Sequence, residues 1–352
     1  MAVKWGVIGA GGIADRRTIP EMKRVADNAE LVAVMDVNPE AAERVARKYD
    51  VGAFYTSEED LLRHPEVEAV YIATPQNLHH DQVLLAARHG KHILCEKPMA
   101  TSLKDADEMI AACEKAGVKL GFDYMMRFNI YNRKIKELVD SGALGRPVMG
   151  RAELTCWYPP IPGAWRQKRE IAFGGSLIDM GSHCLDILEW IFNTRIVEVF
   201  AFHDSLVQNY DVEDTSTTIV RFENGAHGII DNYFNVPDAA AKNFLEVYGT
   251  QGSILANGTI GQDPTGNVTS YLAPAGLGYS ANQVRDVAAG VKTETYQFEG
   301  VPMYGTMVRL FSEAVEKGGE PPVPAEVGYH NLKVILAIYE AVRSGKPVRI
   351  RW

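Results

Sequence analysis

Within the first 124 residues, short apolar runs alternate with helical stretches, and that rhythm leaves few folds open. The runs VKWGVI (3–8), LVAVMD (31–36), AVYIAT (69–74), HILCEK (92–97) and KLGFDY (119–124) read as buried strands. Helical stretches at 13–26, 39–49, 59–64, 80–90 and 102–117 separate them. Each strand followed by a helix of this length returns the chain in its original direction, so the strands are expected to be parallel. Capping residues agree with these limits: proline opens 39–49, Ser102 precedes its helix, and Gly90 and Gly117 close theirs. Pro20 is expected to weaken or break the helix at 13–26.

Past residue 124 the rhythm changes. One helix at 132–142 leads to strand-like VMGRAELTCWY (148–158) and a helix at roughly 175–192. Strand-like runs then follow without helices between them, at 198–204, 216–223, 226–234 and 244–250. Asn224-Gly225 joins two of them, a hairpin signal. The stretch 257–283, rich in Gly, Asn, Pro and Ser, reads as loops, and 331–345 as a late helix. The fold class expected is an α/β Rossmann domain over residues 1–124 with a doubly wound, mostly parallel sheet. An α+β domain over 125–352 with a large open, mostly antiparallel sheet follows it. A chain of 352 residues is long for one core and suits two domains.

Net charge is −9, with no basic tract, which argues against nucleic acid. No apolar run approaches the ~18 residues of a membrane span. The N-terminus enters a strand directly and lacks signal-peptide features. Cys95, Cys113, Cys156 and Cys184 show no C-x-x-C spacing, so neither a disulfide framework nor structural zinc is expected. The reading is a cytoplasmic protein.

GAGGIA (9–14) sits between the first strand and its helix. In this G-x-G-x-x-A pattern Gly9 permits a tight turn, Gly11 lets backbone approach a pyrophosphate, and Ala14 permits close helix–strand packing. Gly12 and Ile13 belong to the same loop, where helix-start N–H groups favour phosphate. Asp36 ends the second strand, where a carboxylate accepts from both ribose hydroxyls and repels a 2′-phosphate. Val37-Asn38 offers no arginine for that phosphate, so NAD is expected ahead of NADP. A flavin or S-adenosylmethionine Rossmann domain is the competing reading of the loop alone. Lys97, in CEKP (95–98), falls at a strand's carboxyl end and faces the ligand crevice or forms a surface pair. In GGSLIDMGSHCLD (174–186), Asp179, His183 and Asp186 stand at i, i+4 and i+7, on one face of a regular helix. That face suits a metal site, a proton relay or a solvated stripe.

Together GAGGIA, ATPQNLHHDQVLLAARHGKHILCEKPMA (73–100), GFDYMMRF (121–128), the 174–186 segment and YEAVRSGKPVRI (339–350) resemble the Gfo/Idh/MocA family. These are the glucose–fructose oxidoreductase and inositol dehydrogenase-like proteins. The resemblance implies a dinucleotide cofactor and a homo-oligomer, dimer or tetramer, built through the second domain's sheet. It implies that Lys97 is catalytic and bonds substrate, and that Asp179 and His183 complete the site. Thr74, Pro75, Gln76 and His79 match the stretch along the cofactor, and Glu96 the residue beside the nicotinamide ribose. Arg166, of a Trp-Arg pair, approaches the cofactor in some members, and in some the Lys-Pro bond is cis. Met125 and Met126 replace polar or basic residues common in relatives. Trp157 and Tyr158 stand where several relatives place polar sugar ligands; they stack on a pyranose or pack between domains.

The activity expected is hydride transfer between nicotinamide and a secondary alcohol or ketone of a cyclic polyol or sugar. His183 is then general base, Asp179 orients it or holds a neighbouring hydroxyl, and Lys97 steadies the alkoxide. Tyr124, Asn232 and Tyr233 are further candidates for substrate hydroxyls. Asp186 braces His183 or only structures its helix. Competing readings are an NADP-dependent keto-sugar reductase, an NAD-using glycosidase, a non-catalytic sugar sensor, and a zinc site from His183, Asp179 and His79. No metal is expected.

Overall fold

The computed structural model describes residues 2–274 and 290–352. Its first sheet contains β1 (Val3–Ile8), β2 (Ala29–Met35), β3 (Ala53–Tyr55), β4 (Ala69–Ile72), β5 (His92–Cys95) and β6 (Leu120–Phe122), all parallel, in the order β3-β2-β1-β4-β5-β6. The order reverses beside β1, so the crevice opens beyond the carboxyl ends of β1, β4 and β5. Helices α1 (Ile19–Val25), α2 (Pro39–Tyr49), α3 (Glu58–Leu62), α4 (His79–Arg88) and α5 (Leu103–Ala116) cover the sheet. Parallel strands are covered on both faces, which is why β4 is buried at every residue. The side chain of Asn38 accepts from Glu40 N and Ala41 N to start α2, and Gly117 closes α5 at φ 66°.

The helix expected at 13–26 is two pieces. A π-helical turn, Ala14–Thr18, precedes α1, and Pro20 falls in the first turn of α1. Pro20 does not break the run, because it follows directly on the π turn: the backbone stays helical through Thr18 and Ile19, and Ile19 N donates to Ala14 O. The short edge strand β3 escaped the sequence reading, having only three residues and no full burial.

Among the described residues the second sheet has nine strands, in the order β14-β13-β12-β11-β7-β10-β9-β8-β15. They are β7 (Pro147–Thr155), β8 (Ile196–Asp204), β9 (Thr215–Phe222), β10 (His227–Tyr233), β11 (Phe244–Gly249), β12 (Gly252–Asn257), β13 (Asn267–Leu272), β14 (Lys292–Tyr296) and β15 (Val348–Arg349). Every pairing is antiparallel except β7 with β10. Gly225, at φ 87°, turns β9 into β10 as the Asn-Gly pair indicated. The helices here are α6 (Ile130–Asp140), α7 (Arg169–Ala172), α8 (Ser182–Phe192), α9 (Met303–Lys317) and α10 (Ala325–Ser344). Residues 257–274 are not all loop, because β13 uses its alternating Val268 and Ser270 to extend the sheet; 275–283 lie outside the described residues.

Two features fix the site's frame. Gly150 in β7 lets α8 press on the sheet: a Cβ there would lie 2.8 Å from Leu188 Cδ2. Helix α9 returns to the first domain, where Glu21 accepts from Tyr304 N (2.8 Å) and Gly305 N (3.1 Å) and Trp5 Nε1 donates to Ser312 Oγ (3.0 Å). No described helix is long and apolar enough to cross a membrane.

Candidate active site

The glycine loop is built for close approach. Gly9 has φ 83°, and a Cβ on it would lie 2.9 Å from Ala73 O. Neither the conformation nor the space admits a side chain. Gly11 N donates to Asp36 Oδ2 (3.0 Å), and Asn38 N donates to Asp36 Oδ1 (3.0 Å). The carboxylate is thus pinned at the loop with lone pairs to spare for hydroxyl donors. Ala14 is fully buried beneath the helix start.

A cavity of about 540 Å³ runs from this loop into the second domain. Gly12, Ile13, Thr74, Gln76 and Glu96 line its first-domain side, and Lys97, Arg166, Asp179 and His183 converge farther in. Lys97 follows the end of β5, and its bond to Pro98 is cis. Its Nζ donates to Asp179 O (2.6 Å) and Asp179 Oδ1 (3.1 Å); Arg166 Nε lies 3.6 Å from the same Oδ1. Burial alone would raise the Asp179 carboxyl, but Lys97 and Arg166 outweigh it and hold the group well below the usual carboxylate range. Burial, aided by the Lys97 charge, pushes His183 well below an ordinary imidazole against the pull of Asp179. His183 is therefore neutral, and its Nδ1 is buried without a hydrogen-bond partner among the described residues.

The segment carrying Asp179 and His183 departs from the expected regular helix. Leu177–Gly181 is π-helical and only Ser182–Phe192 is α-helical. Asp179 and His183 both line the cavity, whereas Asp186 does not. Asp179 pairs with Lys97 instead of orienting His183. Asp186 faces Arg127, which grips it through Nε (3.1 and 2.9 Å) and Nη2 (2.6 Å), and so does not brace the histidine. Gly174 and Gly175 approach other protein groups: a Cβ on Gly175 would lie 1.9 Å from Glu213 O. The buried Glu213 carboxylate accepts from Gly175 N (2.8 Å), Leu177 N (3.3 Å) and Tyr339 Oη (2.8 Å), seating the start of the π turn.

A model of an oxidoreductase family with an NAD-binding Rossmann fold, GFO_IDH_MocA, matches residues 3–124, and that family's C-terminal domain matches 132–255. The chain belongs to the Gfo/Idh/MocA family. It is 32% identical over 348 residues to a 1,5-anhydro-D-fructose reductase of Ensifer adhaerens, covering 99% of this chain and 98% of that one. It is 29% identical to an NADP(+) D-xylose 1-dehydrogenase of Haloferax volcanii, covering 98% and 99%. The crystal structure of an aldose–aldose oxidoreductase from Caulobacter crescentus, complexed with glycerol, matches with TM-score 0.88 and 27% identity over 99% of this chain and all of that one.

Several residues expected at the Gfo/Idh/MocA site stand elsewhere. His79 is buried between Pro98 O (2.9 Å) and Thr74 O (3.1 Å), so it ties the segment after β4 to the Lys97 turn and lies off the cavity wall. Pro75 also lies off the wall and begins the short turn that presents Gln76. Tyr233 points to the opposite sheet face, because strand side chains alternate and its neighbour Asn232 faces inward, bonding Leu154 O (3.2 Å). Trp157 is 41% exposed outside the cavity, held by its N–H to Asp238 Oδ1 (2.7 Å); Tyr158 lines the wall instead. Tyr124 is buried edge-on to His183 and does not line the cavity. Among the described residues no three His, Cys, Asp or Glu gather as a metal group. The sequence reading missed Arg16, Arg17, Asn243 and Asp238 on the cavity wall and Arg127 and Glu213 behind it. Arg127 lay in a quoted motif; nothing local marks Glu213.

Proposed function

We propose that this chain is an NAD-dependent oxidoreductase acting on a secondary alcohol or ketone of a cyclic polyol or sugar. The observation that carries the reading is the convergence of Lys97, Asp179 and His183 on one wall of a cavity whose other end is the glycine loop. The residues fit a dinucleotide: the loop and helix start offer N–H donors to a pyrophosphate, Asp36 takes a ribose, and Thr74, Gln76, Glu96 and Arg166 line the path inward. Bound there, the nicotinamide supplies the hydride acceptor.

The protein's own groups then handle the proton. A lysine ammonium has three N–H donors, and Asp179 takes two, leaving one for a substrate oxygen. Neutral His183 accepts the hydroxyl proton, and its low proton affinity keeps it available in mildly acidic solution. Asp179 holds Lys97 in place and keeps its charge balanced. Asn243, Asp238 and Thr155 offer further polar contacts, while Met125, Met126, Leu154 and Met180 form an apolar wall, a mixture suited to a sugar's two kinds of face. The full relatives' names, a sugar reductase and a sugar dehydrogenase, support that substrate class.

The protein works as a cytoplasmic homo-oligomer in this reading. Four free thiols suit a reducing compartment, and exposed Phe202 and Ile219 on the outer face of the large sheet suit a subunit contact. A screen of cyclic polyols and aldoses with NAD⁺ and NADP⁺, following reduced-cofactor absorbance, tests the activity. Glycoside cleavage without net cofactor reduction would replace it with the glycosidase reading.

A further inference from the structure

Behind Lys97 lies a buried carboxyl, Asp123, that the scheme above leaves unused and that shares a tyrosine with Glu96. Asp123, just past β6, is 1% exposed. Glu96, just past β5, reaches the cavity wall. The hydroxyl of Tyr71, on β4, stands between them, 2.6 Å from Glu96 Oε1 and 3.3 Å from Asp123 Oδ2. Thr18 Oγ1 also donates to that hydroxyl, at 3.1 Å. Asp123 Oδ1 is buried with no hydrogen-bond partner among the described residues.

A phenol has one proton to donate and two lone pairs with which to accept. The short contact to Glu96 takes the proton. Tyr71 then meets Asp123 only as an acceptor, and an ionised carboxylate has nothing to donate. An ionised Asp123 would also be a buried charge with no cation in contact, sharing one tyrosine with a second carboxylate. A single proton on Asp123 removes each conflict and gives a directed chain, Asp123 O–H to Tyr71 O–H to Glu96.

We propose that Asp123 is held as a neutral carboxylic acid and that Asp123, Tyr71 and Glu96 form a proton store behind the cavity wall. When the store discharges, the Tyr71 proton moves to Glu96 and the Asp123 proton moves to Tyr71. Asp123 becomes the carboxylate and Glu96 the acid, so charge and protons balance without another reactant. The step delivers a proton beside Lys97, and its reverse recovers one. The protonation state stands on geometry alone; its use in turnover rests on the oxidoreductase reading.

The surrounding groups favour this direction. Glu21, on α1, is occupied by the Tyr304 and Gly305 N–H groups, and Tyr304, on α9, adds no cation. Burial raises both carboxyls; on the Glu96 side Lys97 and Arg166 oppose it, whereas on Asp123 the Glu96 charge adds to burial and pushes the group well above the usual range.

Infrared spectroscopy of the full chain without substrate tests the state. At pH 7 a carboxylic-acid C=O stretch is expected that Asp123→Asn removes and Glu96→Gln leaves. A band removed by Glu96→Gln alone, or no band sensitive to either, overturns the assignment. Should Asp123→Asn not fold, the carboxyl ¹³C resonance of Asp123 in labelled wild-type protein replaces it: a neutral-acid shift from pH 5 to 8 supports the store and a carboxylate shift ends it. Tyr71→Phe cuts the chain, so its turnover is expected to fall on the order of 10- to 100-fold with an altered pH profile and unchanged KM. Unchanged turnover and pH profile would remove the store from the reaction. An absence of turnover with every substrate, wild type included, would count against the oxidoreductase reading while leaving the spectroscopic result intact.

Discussion

Replacing His183 by Asn tests the proton chemistry most directly, because the structure sets both the size and the pH of the effect. A positioned general base contributes about 10²–10⁴-fold, or about 2.7–5.4 kcal/mol of barrier at 1.36 kcal/mol per tenfold. His183→Asn should therefore lower kcat/KM for oxidation by at least about 100-fold. The wild-type profile should stay level well below the ordinary imidazole value of 6.5, because burial and Lys97 both disfavour the protonated ring. His183→Asn should abolish the acid limb. Lys97→Met should shift the limb upward while turnover falls, without returning it to 6.5, since burial remains. Stability needs a parallel check. The folded value lies below the unfolded one, so beneath pH 6.5 the unfolded chain binds a proton that the folded chain does not. This histidine's linkage costs stability as pH falls through 6.5 toward its folded value, and nothing above 6.5. Thermal melts at each pH separate unfolding from loss of the base. An acid limb that survives His183→Asn unchanged would refute the assignment.

Three further outcomes follow from particular contacts. Arg127→Ala strands the Asp186 carboxylate, which is 2% exposed, and should cost about 3–5 kcal/mol in denaturant unfolding, whereas an apolar replacement of both partners should cost far less. Gly175→Ala drives a Cβ into Glu213 O; it should destabilise by at least about 1–3 kcal/mol and lower turnover through the displaced π turn, read by melting and steady-state kinetics together. Asp36→Ala removes the charge that opposes a 2′-phosphate and should raise NADP⁺ use relative to NAD⁺ by about tenfold or more, measured as the ratio of kcat/KM values.

The first domain was legible because each of its signals is local. Buried parallel strands read as unbroken apolar runs, and the glycine loop is a short motif whose backbone conformation follows from its residues. The losses came where sequence carries little information. The three-residue β3 has no periodicity to detect, and β13 lies in a stretch whose Gly and Asn content resembles a loop. Pro20 looked disruptive, yet the helical run continues through a π turn immediately before it, and nothing in a hydrophobic pattern announces a π turn.

The site divides along the same line. Lys97, Asp179 and His183, which the structure brings to one cavity, could be named because each sits in a motif whose spacing or resemblance can be read along the chain. Their roles relative to one another could not be read that way. Helical spacing suggested that Asp179 orients His183 and Asp186 backs it, yet distant partners decide: Asp179 pairs with Lys97 and Asp186 with Arg127. Tyr233 failed for a related reason: strand alternation says which residues share a face, but only the packing of α8 against β7 and β10 says which face meets the cavity. Glu213 and Tyr71 carry no motif, and Asp123, although it stands in GFDYMMRF, gets no role from it, because their chemistry exists only in the company of residues far away in the chain. Glu213 gains its role from Gly175, 38 positions earlier, and Asp123 from a tyrosine 52 positions earlier. Residues proposed to line a substrate cavity can thus be named from sequence, whereas the partners that hold them in place require the fold.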